Sequence, residues 1–499
     1  MAGKHLAVDL GSSNGKIVLV ELAEDKKVKL EEIHRFLTPR SYIQGHLSTD
    51  IYGIYDEIIK ALQILKKENI RIDSMGVDSW SSDFGIVNAY GIPEGLPVFY
   101  RDKRTLGMEQ YISKKISYED LYPLTTQRKI PESSLGQLLA IEREHPGSLA
   151  DGRRIMFLGD LLMYLFSGRI CSEYTVASYS QLYSMKKQEW EKRVFQLFDL
   201  PESLMTQIVH PGEVLGSIDT KQARFYDIDP VKIIAPAVHD TASAVAAIPA
   251  TSLPMGKKTW AFLSTGTWFL AGMETDEPKN LEACYQYNMS NTGLAFHKNM
   301  VKRNICAMWL LQECKRIWDK NGLHYEYAQI AAIAEKAVPF LAMLNTEDES
   351  FFHPKDMPHA IAEFLIRTGQ TRVREDDVGQ IARIVYESVA FQCAYSIRAL
   401  EEISGQQIDH VYIVGGAGRI DFLNQLIATS SQKKLITGPI EASAMGNGLL
   451  QAYGCKEITS LQELRDIVKC TESCKTYQPE EWGIWAEMYT KYLRLCGLE

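Results

Sequence analysis

Long apolar runs are missing: no stretch of about 18 uncharged, strongly apolar residues occurs, and the first apolar run, after Lys4, is cut by Asp9. Neither a membrane-spanning helix nor a secretory leader is supported, and the chain reads as cytoplasmic. Basic charge is also short. The 499 residues carry 54 Lys and Arg against 63 Asp and Glu, a formal net charge of −9, with no Lys/Arg run. Such a chain has no general attraction for nucleic acid or anionic lipid. The nine cysteines are odd in number and scattered, which excludes a disulfide framework. The closest pair, Cys470 and Cys474, lacks the second Cys/His pair that a zinc site would need. Low-complexity segments and short-period repeats are absent too.

What is there is an ordinary globular balance, 45% hydrophobic and 23% charged, long enough for two large domains or three small ones. Residues 5–10 and 16–22 are apolar, β-branched runs around Gly11-Ser-Ser-Asn-Gly15, which reads as a β-hairpin. A second hairpin of the same design follows at residues 259–271, around Ser264-Thr-Gly-Thr267. Two such units predict two related domains, each opening on a polar turn. Further strands are expected at 74–78, 84–87, 231–238 and 410–414. Helices are expected at 51–67, 134–144, 159–167, 300–320, 325–337, 377–403 and 421–430. The Ala-rich segment 237–252 is the expected domain joint, with the boundary near 245.

Several constellations could carry chemistry. The turn Asp9-Leu-Gly-Ser-Ser-Asn-Gly-Lys16 offers successive backbone N–H groups, hydroxyls and a cation, a geometry that cradles phosphate oxygens. A strand follows it rather than a helix, so it is not a Walker loop, and a plain hairpin turn is the competing reading. Ile413-Val-Gly-Gly-Ala-Gly418 lets backbone approach a ligand ahead of a helix N-terminus, or serves only as a strand-to-helix turn. Asp240 follows an apolar strand and precedes small residues, so it is either a proton acceptor at a strand mouth or a helix cap. His239 fits a substrate ligand or a satisfied core histidine. Trp80, Asp83 and Tyr100-Arg-Asp102 supply an aromatic face, carboxylates and a guanidinium, the inventory of a sugar site or of a core.

Taken in order, Val-Asp-Leu-Gly-Ser-Ser-Asn-Gly-Lys, Gly-Val-Asp-Ser-Trp-Ser-Ser-Asp-Phe-Gly, Tyr-Arg-Asp-Lys-Arg-Thr, His-Asp-Thr-Ala-Ser-Ala-Val, Ser-Thr-Gly-Thr-Trp, Trp-Leu-Leu-Gln, Val-Gly-Gly-Ala-Gly and Gly-Pro-Ile-Glu-Ala-Ser-Ala-Met-Gly-Asn resemble the FGGY carbohydrate kinases. The resemblance runs from residue 5 to about 452. It implies an α/β chain of two actin-like, hexokinase-like (ribonuclease H-like) domains around a central cleft. Residues 1–245 would form the sugar side with the catalytic Asp, and 246–499 the nucleotide side. The implied reaction moves the γ-phosphoryl group of ATP, with Mg2+, to the 1-hydroxyl of a ketose, L-rhamnulose first and L-fuculose or L-xylulose as alternatives. A sugar-binding protein without turnover is the reading from another class.

Carried over residue by residue, the resemblance implies Asp240 as catalytic base, with Ser81, His239, Thr241 and Asn304 beside the sugar. Ser12, Ser13, Asn14, Gly15, Lys16, Thr267, Gln312 and Gly416 would contact nucleotide, and Asp9 would hold the metal through water. Expected partners are the sugar and ATP, in a monomer or homodimer. Three positions depart from the family pattern. Ser81 replaces a glycine, Ile420 stands where an Asn is expected, and Lys16 replaces an arginine, keeping charge but losing the bidentate fork.

Overall fold

The computed structural model describes residues 3–150, 152–250, 258–279, 281–352 and 354–499. Thr251 and Ser252, the end of the segment read as a domain joint, lie outside them. Contacts divide the chain into two compact units, each assembled from three stretches. The first is Met1–Thr251, Glu274–Val301 and Glu441–Glu472; the second is Ser252–Met273, Lys302–Ile440 and Ser473–Glu499.

The first unit is built on a six-stranded sheet in the order Val214–Ser217, Lys232–Ile234, Ser74–Ser79, Gly3–Leu10, Asn14–Leu22, Val28–Leu37. The expected hairpin is present, antiparallel from Gly3 opposite Leu22 to Leu10 opposite Gly15. Its first strand pairs in parallel with Ser74–Ser79, which pairs in parallel with Lys232–Ile234. Parallel strands are covered on both faces, which accounts for the nearly unbroken burial of residues 5–8 and 74–79. The strand expected at 231–238 is only three residues long. Pro236 has no N–H to donate, yet the chain stays beside its neighbour: Ser79 N–H donates to Val238 O at 2.8 Å.

Local signals act as expected in the helix Ile51–Lys67. Asp50 caps it by accepting from Gly53 N–H, Lys66 and Lys67 sit at its C-terminal end, and Ile51, Ile54, Tyr55, Ile58, Leu62 and Leu65 form the buried face. The helix Ala442–Gly454 crosses against the strand Gly3–Leu10 and the short helix Asp240–Ala246. The crossing is close because Gly446 has no side chain: a Cβ there would lie 1.9 Å from Ser243 O.

In the second unit, the hairpin of Lys258–Thr265 and Trp268–Thr275 is again antiparallel. Its first strand runs parallel to Gln407–Gly415, which runs parallel to Lys434–Thr437. Thr476–Tyr477 closes that edge antiparallel. The 27-residue helix Val378–Ser404 and the helix Asp421–Ser431 pack on each other beside this layer, and most of their residues are buried.

The helix expected over 300–320 is a correction. The chain forms the strand Asn299–Cys306 and then the helix Met308–Lys320. Apolar residues of strand and helix happen to follow one another at helical spacing, and sheet pairing overrides that pattern. Lys302 and Arg303 become buried, with Arg303 held by Glu347 at 2.8 Å. Among the described residues, no helix is long and apolar enough to cross a membrane.

Gly446→Ala is expected to lower stability by about 1–3 kcal/mol, because the new methyl meets backbone rather than a movable side chain. Urea unfolding of the two proteins measures the difference, and equal midpoints would show that the crossing can relax.

Candidate functional site

The sheet of the first unit gathers acidic groups at one end. Asp9 and Asp78 are direct partners in the parallel register, Leu10 faces Ser79, and Ser79 bridges in parallel to His239. Three parallel strands thus deliver Asp9, Asp78 and the His239-Asp240 pair to their C-terminal edge, where open α/β sheets bind ligands. Asp78 is fully buried, whereas Asp240 keeps a third of its side chain exposed.

Electrostatics mark the cluster. Burial is the largest cause pushing the Asp9 carboxyl up to about 6; Lys16 draws it down, while Asp240 and Glu441 raise it further. Burial also pushes Asp78 well above the carboxylate range, and Asp9 and Asp240 add to it. Asn447 partly offsets this by donating to Asp78 Oδ2 at 2.6 Å and Gly76 O at 3.3 Å. The other oxygen, Asp78 Oδ1, is buried and meets no donor. A pair of carboxylates with one orphaned oxygen is a donor set suited to a hard divalent cation, which needs only one or two protein carboxylates and keeps its remaining waters.

The turn beside Asp9 is tight, with Gly11 N–H donating to Asn14 O at 3.0 Å. Its carbonyls are tied back: Thr38 N–H donates to Ser13 O, Thr38 Oγ1 donates to Gly11 O, and Arg40 donates to Ser12 O. The side chain of Ser13 is exposed and those of Ser12, Asn14 and Lys16 are partly so, while Gly15 is packed beneath Phe36. Lys16 lies opposite Asp9 in the register and pairs with Glu441 at 2.5 Å.

Asp240 opens a helix, and its Oδ1 accepts from Thr241 N–H at 2.5 Å and Thr241 Oγ1 at 3.2 Å. His239 is buried, its ring 5.4 Å from that of Tyr179, whose hydroxyl bonds Ser81. Ser81, His239, Asp240 and Thr241 therefore lie near one another. The backbone ahead of Asp240 is clamped by Glu173, which sequence reasoning missed. Its buried carboxylate accepts from Val238 N–H at 3.0 Å, from Thr175 N–H at 2.9 Å and from Thr175 Oγ1 at 2.5 Å. Thr175 Oγ1 in turn accepts from His239 N–H at 3.1 Å. Burial pushes the Glu173 carboxyl up to about 7 against the pull of those three donors and of Val176 N–H, which donates at 3.4 Å. Glu173 lies 67 residues before Asp240 in a polar stretch without periodicity. The only signal was a carboxylate immediately ahead of Tyr-Thr, where it could cap a turn.

Trp80, Asp83 and Asp102 prove to be built into the scaffold. Asp83 accepts from Trp80 Nε1 at 2.8 Å and Gln137 Nε2 at 3.2 Å, and Asp102 accepts from Leu47 N–H at 2.7 Å and caps a short 3₁₀ turn.

The remaining candidates lie in the second unit. Thr265 pairs with Gly415 in the parallel register, Thr265 Oγ1 donates to Val414 O and accepts from Ala417 N–H, and Trp309 N–H donates to Thr267 O at 2.9 Å. Thr267, Gly416 and the helix carrying Gln312 are thereby linked through one hairpin turn. Gly415, at φ +89°, must be glycine because a Cβ would lie 2.2 Å from Thr265 O; Gly416 faces open space. Ile420 takes the N-cap position without a side-chain bond, and Asn424 steadies the turn by donating to Gly418 O at 2.9 Å. Asn304, on the strand Asn299–Cys306, accepts from Lys302 at 3.5 Å.

Comparison with known proteins places this geometry. Residues 5–247 match the N-terminal domain of the FGGY family of carbohydrate kinases, and residues 261–455 match its C-terminal domain. Among curated proteins, the chain is similar to a rhamnulokinase of Bacteroides thetaiotaomicron, 32% identical over 492 residues and 99% of each chain. It is also similar to rhamnulokinases of Bacillus subtilis, 31% identical over 96% of each chain, and of Ligilactobacillus salivarius, 30% identical over 99% of each. Among solved structures, a xylulose kinase from Rhodospirillum rubrum superposes with a TM-score of 0.78 at 13% identity, covering 100% of this chain and 98% of that one. A glycerol kinase from Plasmodium falciparum with ADP gives 0.76 at 14% identity, covering 99% and 97%.

The raised Asp9 pKa has a consequence for stability. The folded chain holds this proton more tightly than the unfolded chain, so stability falls as pH rises from the ordinary carboxylate range through about 6. In protein stripped of divalent cations, Asp9→Asn is therefore expected to melt higher than the parent at pH 8 and level with it at pH 4, by differential scanning calorimetry.

Proposed function

The chain belongs to the FGGY family of carbohydrate kinases, and we propose that its acceptor is L-rhamnulose, phosphorylated by ATP in the cytoplasm to give L-rhamnulose 1-phosphate and ADP. The observation that carries this choice of sugar is the likeness to rhamnulokinases over nearly the whole length, at about the same identity in each relative.

The residues of the first unit suit the chemistry. Asp240 is the general base: it takes the proton of the acceptor hydroxyl as that oxygen forms its bond to the γ-phosphorus and the bond from phosphorus to the ADP oxygen breaks. Thr241 holds Asp240 Oδ1, which fixes the carboxylate's rotation toward a site it can reach with its exposed third. Ser81, His239 and Thr241 contact the sugar. Tyr179 orients Ser81, so the hydroxymethyl group that replaces the family's glycine is offered in a set direction.

Ser12, Ser13, Asn14, Gly15 and Lys16 contact the nucleotide phosphates, and Thr267, Gln312 and Gly416 contribute from the second unit. Lys16 is held beside this turn by Glu441. Mg2+, held by Asp9 through water with Asp78 behind it, would neutralise phosphate charge and lower the cost of bringing three aspartates to one edge. Catalysis of phosphoryl transfer rests on positioning and charge more than on covalent chemistry, so the clamp of Glu173 on residues 238 and 239 matters as much as the base it aims.

A coupled ADP-release assay with ATP and Mg2+ tests the reading against L-rhamnulose, L-fuculose, L-xylulose, D-xylulose, D-ribulose and glycerol. The highest kcat/KM is expected for L-rhamnulose; a lead for another ketose would reassign the substrate, and no sugar-dependent ADP would remove the activity. Asp240→Asn is expected to lose about 10²–10⁴-fold in kcat while still binding sugar by calorimetry. For Glu173→Gln the expected loss is about 10- to 100-fold in kcat with a smaller change in KM, because the base is misplaced rather than removed. Parent-like kcat in a folded Glu173→Gln protein would show that the clamp does not set the position of Asp240.

A further inference from the structure

A buried chain of hydrogen bonds leads from Asp78 through the first unit to a second cluster of side chains. Asn447 Nδ2 spends both hydrogens on Asp78 Oδ2 and Gly76 O, so its Oδ1 must accept, and it does, from Gln451 Nε2 at 2.6 Å. The second hydrogen of Gln451 goes to Leu6 O at 3.0 Å. Gly76 O and Leu6 O are carbonyls that can only accept, so neither amide can be turned round. Gln451 Oε1 therefore accepts the Ser74 hydroxyl proton at 2.7 Å, and Ser74 Oγ accepts from His5 Nδ1–H at 2.8 Å.

The polarity of the chain thus places a proton on His5 Nδ1 and leaves Nε2 facing Glu457 Oε2, 3.2 Å away. A proton on Nε2 would join those two atoms only. Here there are three: His5 nitrogen, Cys455 sulfur and a Glu457 carboxylate oxygen all lie within 4.8 Å of one another. His5 is fully buried, Cys455 is partly exposed, and Glu457 is at the surface, so the cluster has a rigid floor and an open side. Residue 3 must be glycine for this arrangement, since a Cβ there would lie 1.8 Å from Glu457 Oε2.

We propose that His5, Cys455 and Glu457 form a site for a divalent transition metal of zinc's kind, with the open position taken by water. Imidazole nitrogen, thiolate and carboxylate oxygen are the ligand types zinc takes, and three protein ligands with an open fourth position are a common set. Ser74 supplies what such a histidine needs, a partner for its other ring nitrogen that fixes tautomer and orientation. The site stands apart from the acidic edge. His5 is four residues before Asp9 on the same strand, about 13 Å from the acidic edge, and Cys455 and Glu457 follow the end of the helix Ala442–Gly454. A metal here staples the end of that helix to the first strand and holds Asn447 in register with Asp78 from behind.

The test uses the full-length, tag-free protein after removal of metal with EDTA. Titration with Co2+ is expected to give one equivalent with a tetrahedral visible spectrum and a thiolate-to-cobalt charge-transfer band, and Zn2+ to displace it and raise the melting temperature. Cys455→Ser should lose the charge-transfer band, while Cys470→Ser, at an exposed cysteine outside the cluster, should keep it. His5→Gln removes a buried ring and is open to misfolding, so Glu457→Gln and Ser74→Ala carry the argument in folded protein. Each is expected to weaken Zn2+, by competition with a chromophoric chelator, about 10- to 100-fold. No thiolate-to-cobalt band in the parent, a band that survives Cys455→Ser, or Zn2+ affinity unchanged in Glu457→Gln would each overturn the proposal. None of these readouts depends on which sugar the enzyme phosphorylates.

Discussion

Asp9 and Asp78 stand side by side at the ends of two paired parallel strands, and holding that like charge out of water next to Asp240 is the condition to which the rest of the first unit is fitted. The sheet creates the problem, because parallel pairing in register brings residue 9 against residue 78 whatever they are. Asn447, Lys16 and the amide chain behind Asn447 reduce it without removing it. Buried carboxylates left partly uncompensated are a stored demand for a cation, and a phosphoryl-transfer enzyme must bring one with its nucleotide.

The same unit holds its reacting edge from two sides. In front, Glu173 and Thr175 grip the backbone at 238 and 239, so the direction of Asp240 depends on buried bonds and not on the exposed carboxylate alone. Behind, the helix Ala442–Gly454 approaches closely enough, through Gly446, for Asn447 to reach Asp78. Both supports are contributed by segments far from residue 9 in the chain, and the second returns only after the stretch Lys302–Ile440 of the second unit. That explains how Asp240 can be held in place while its own side chain stays accessible.

Membership in the carbohydrate kinases and the arrangement of the site meet at the departures from the family's pattern. Lys16 keeps the cation that an arginine would supply and is steadied by Glu441. Ile420 leaves its helix without a side-chain cap, and Asn424 takes over the turn by bonding Gly418 O. Ser81 adds a hydroxyl that Tyr179 orients beside His239 and Asp240. Each change is accommodated by a neighbour.

Sequence alone determined the two hairpins, the helices at 51–67 and 134–144 and the order of the motifs, because each is a local pattern of periodicity, turn chemistry or contiguous residues. Tertiary structure decided what depends on partners remote in the chain. It turned the apolar spacing of 299–306 into a strand, made Trp80, Asp83 and Asp102 part of the scaffold, and gave Glu173, Asp78 and Asn447 their places. A buried polar group declares its role only through the group that satisfies it, and for these residues that group lies up to 371 positions away.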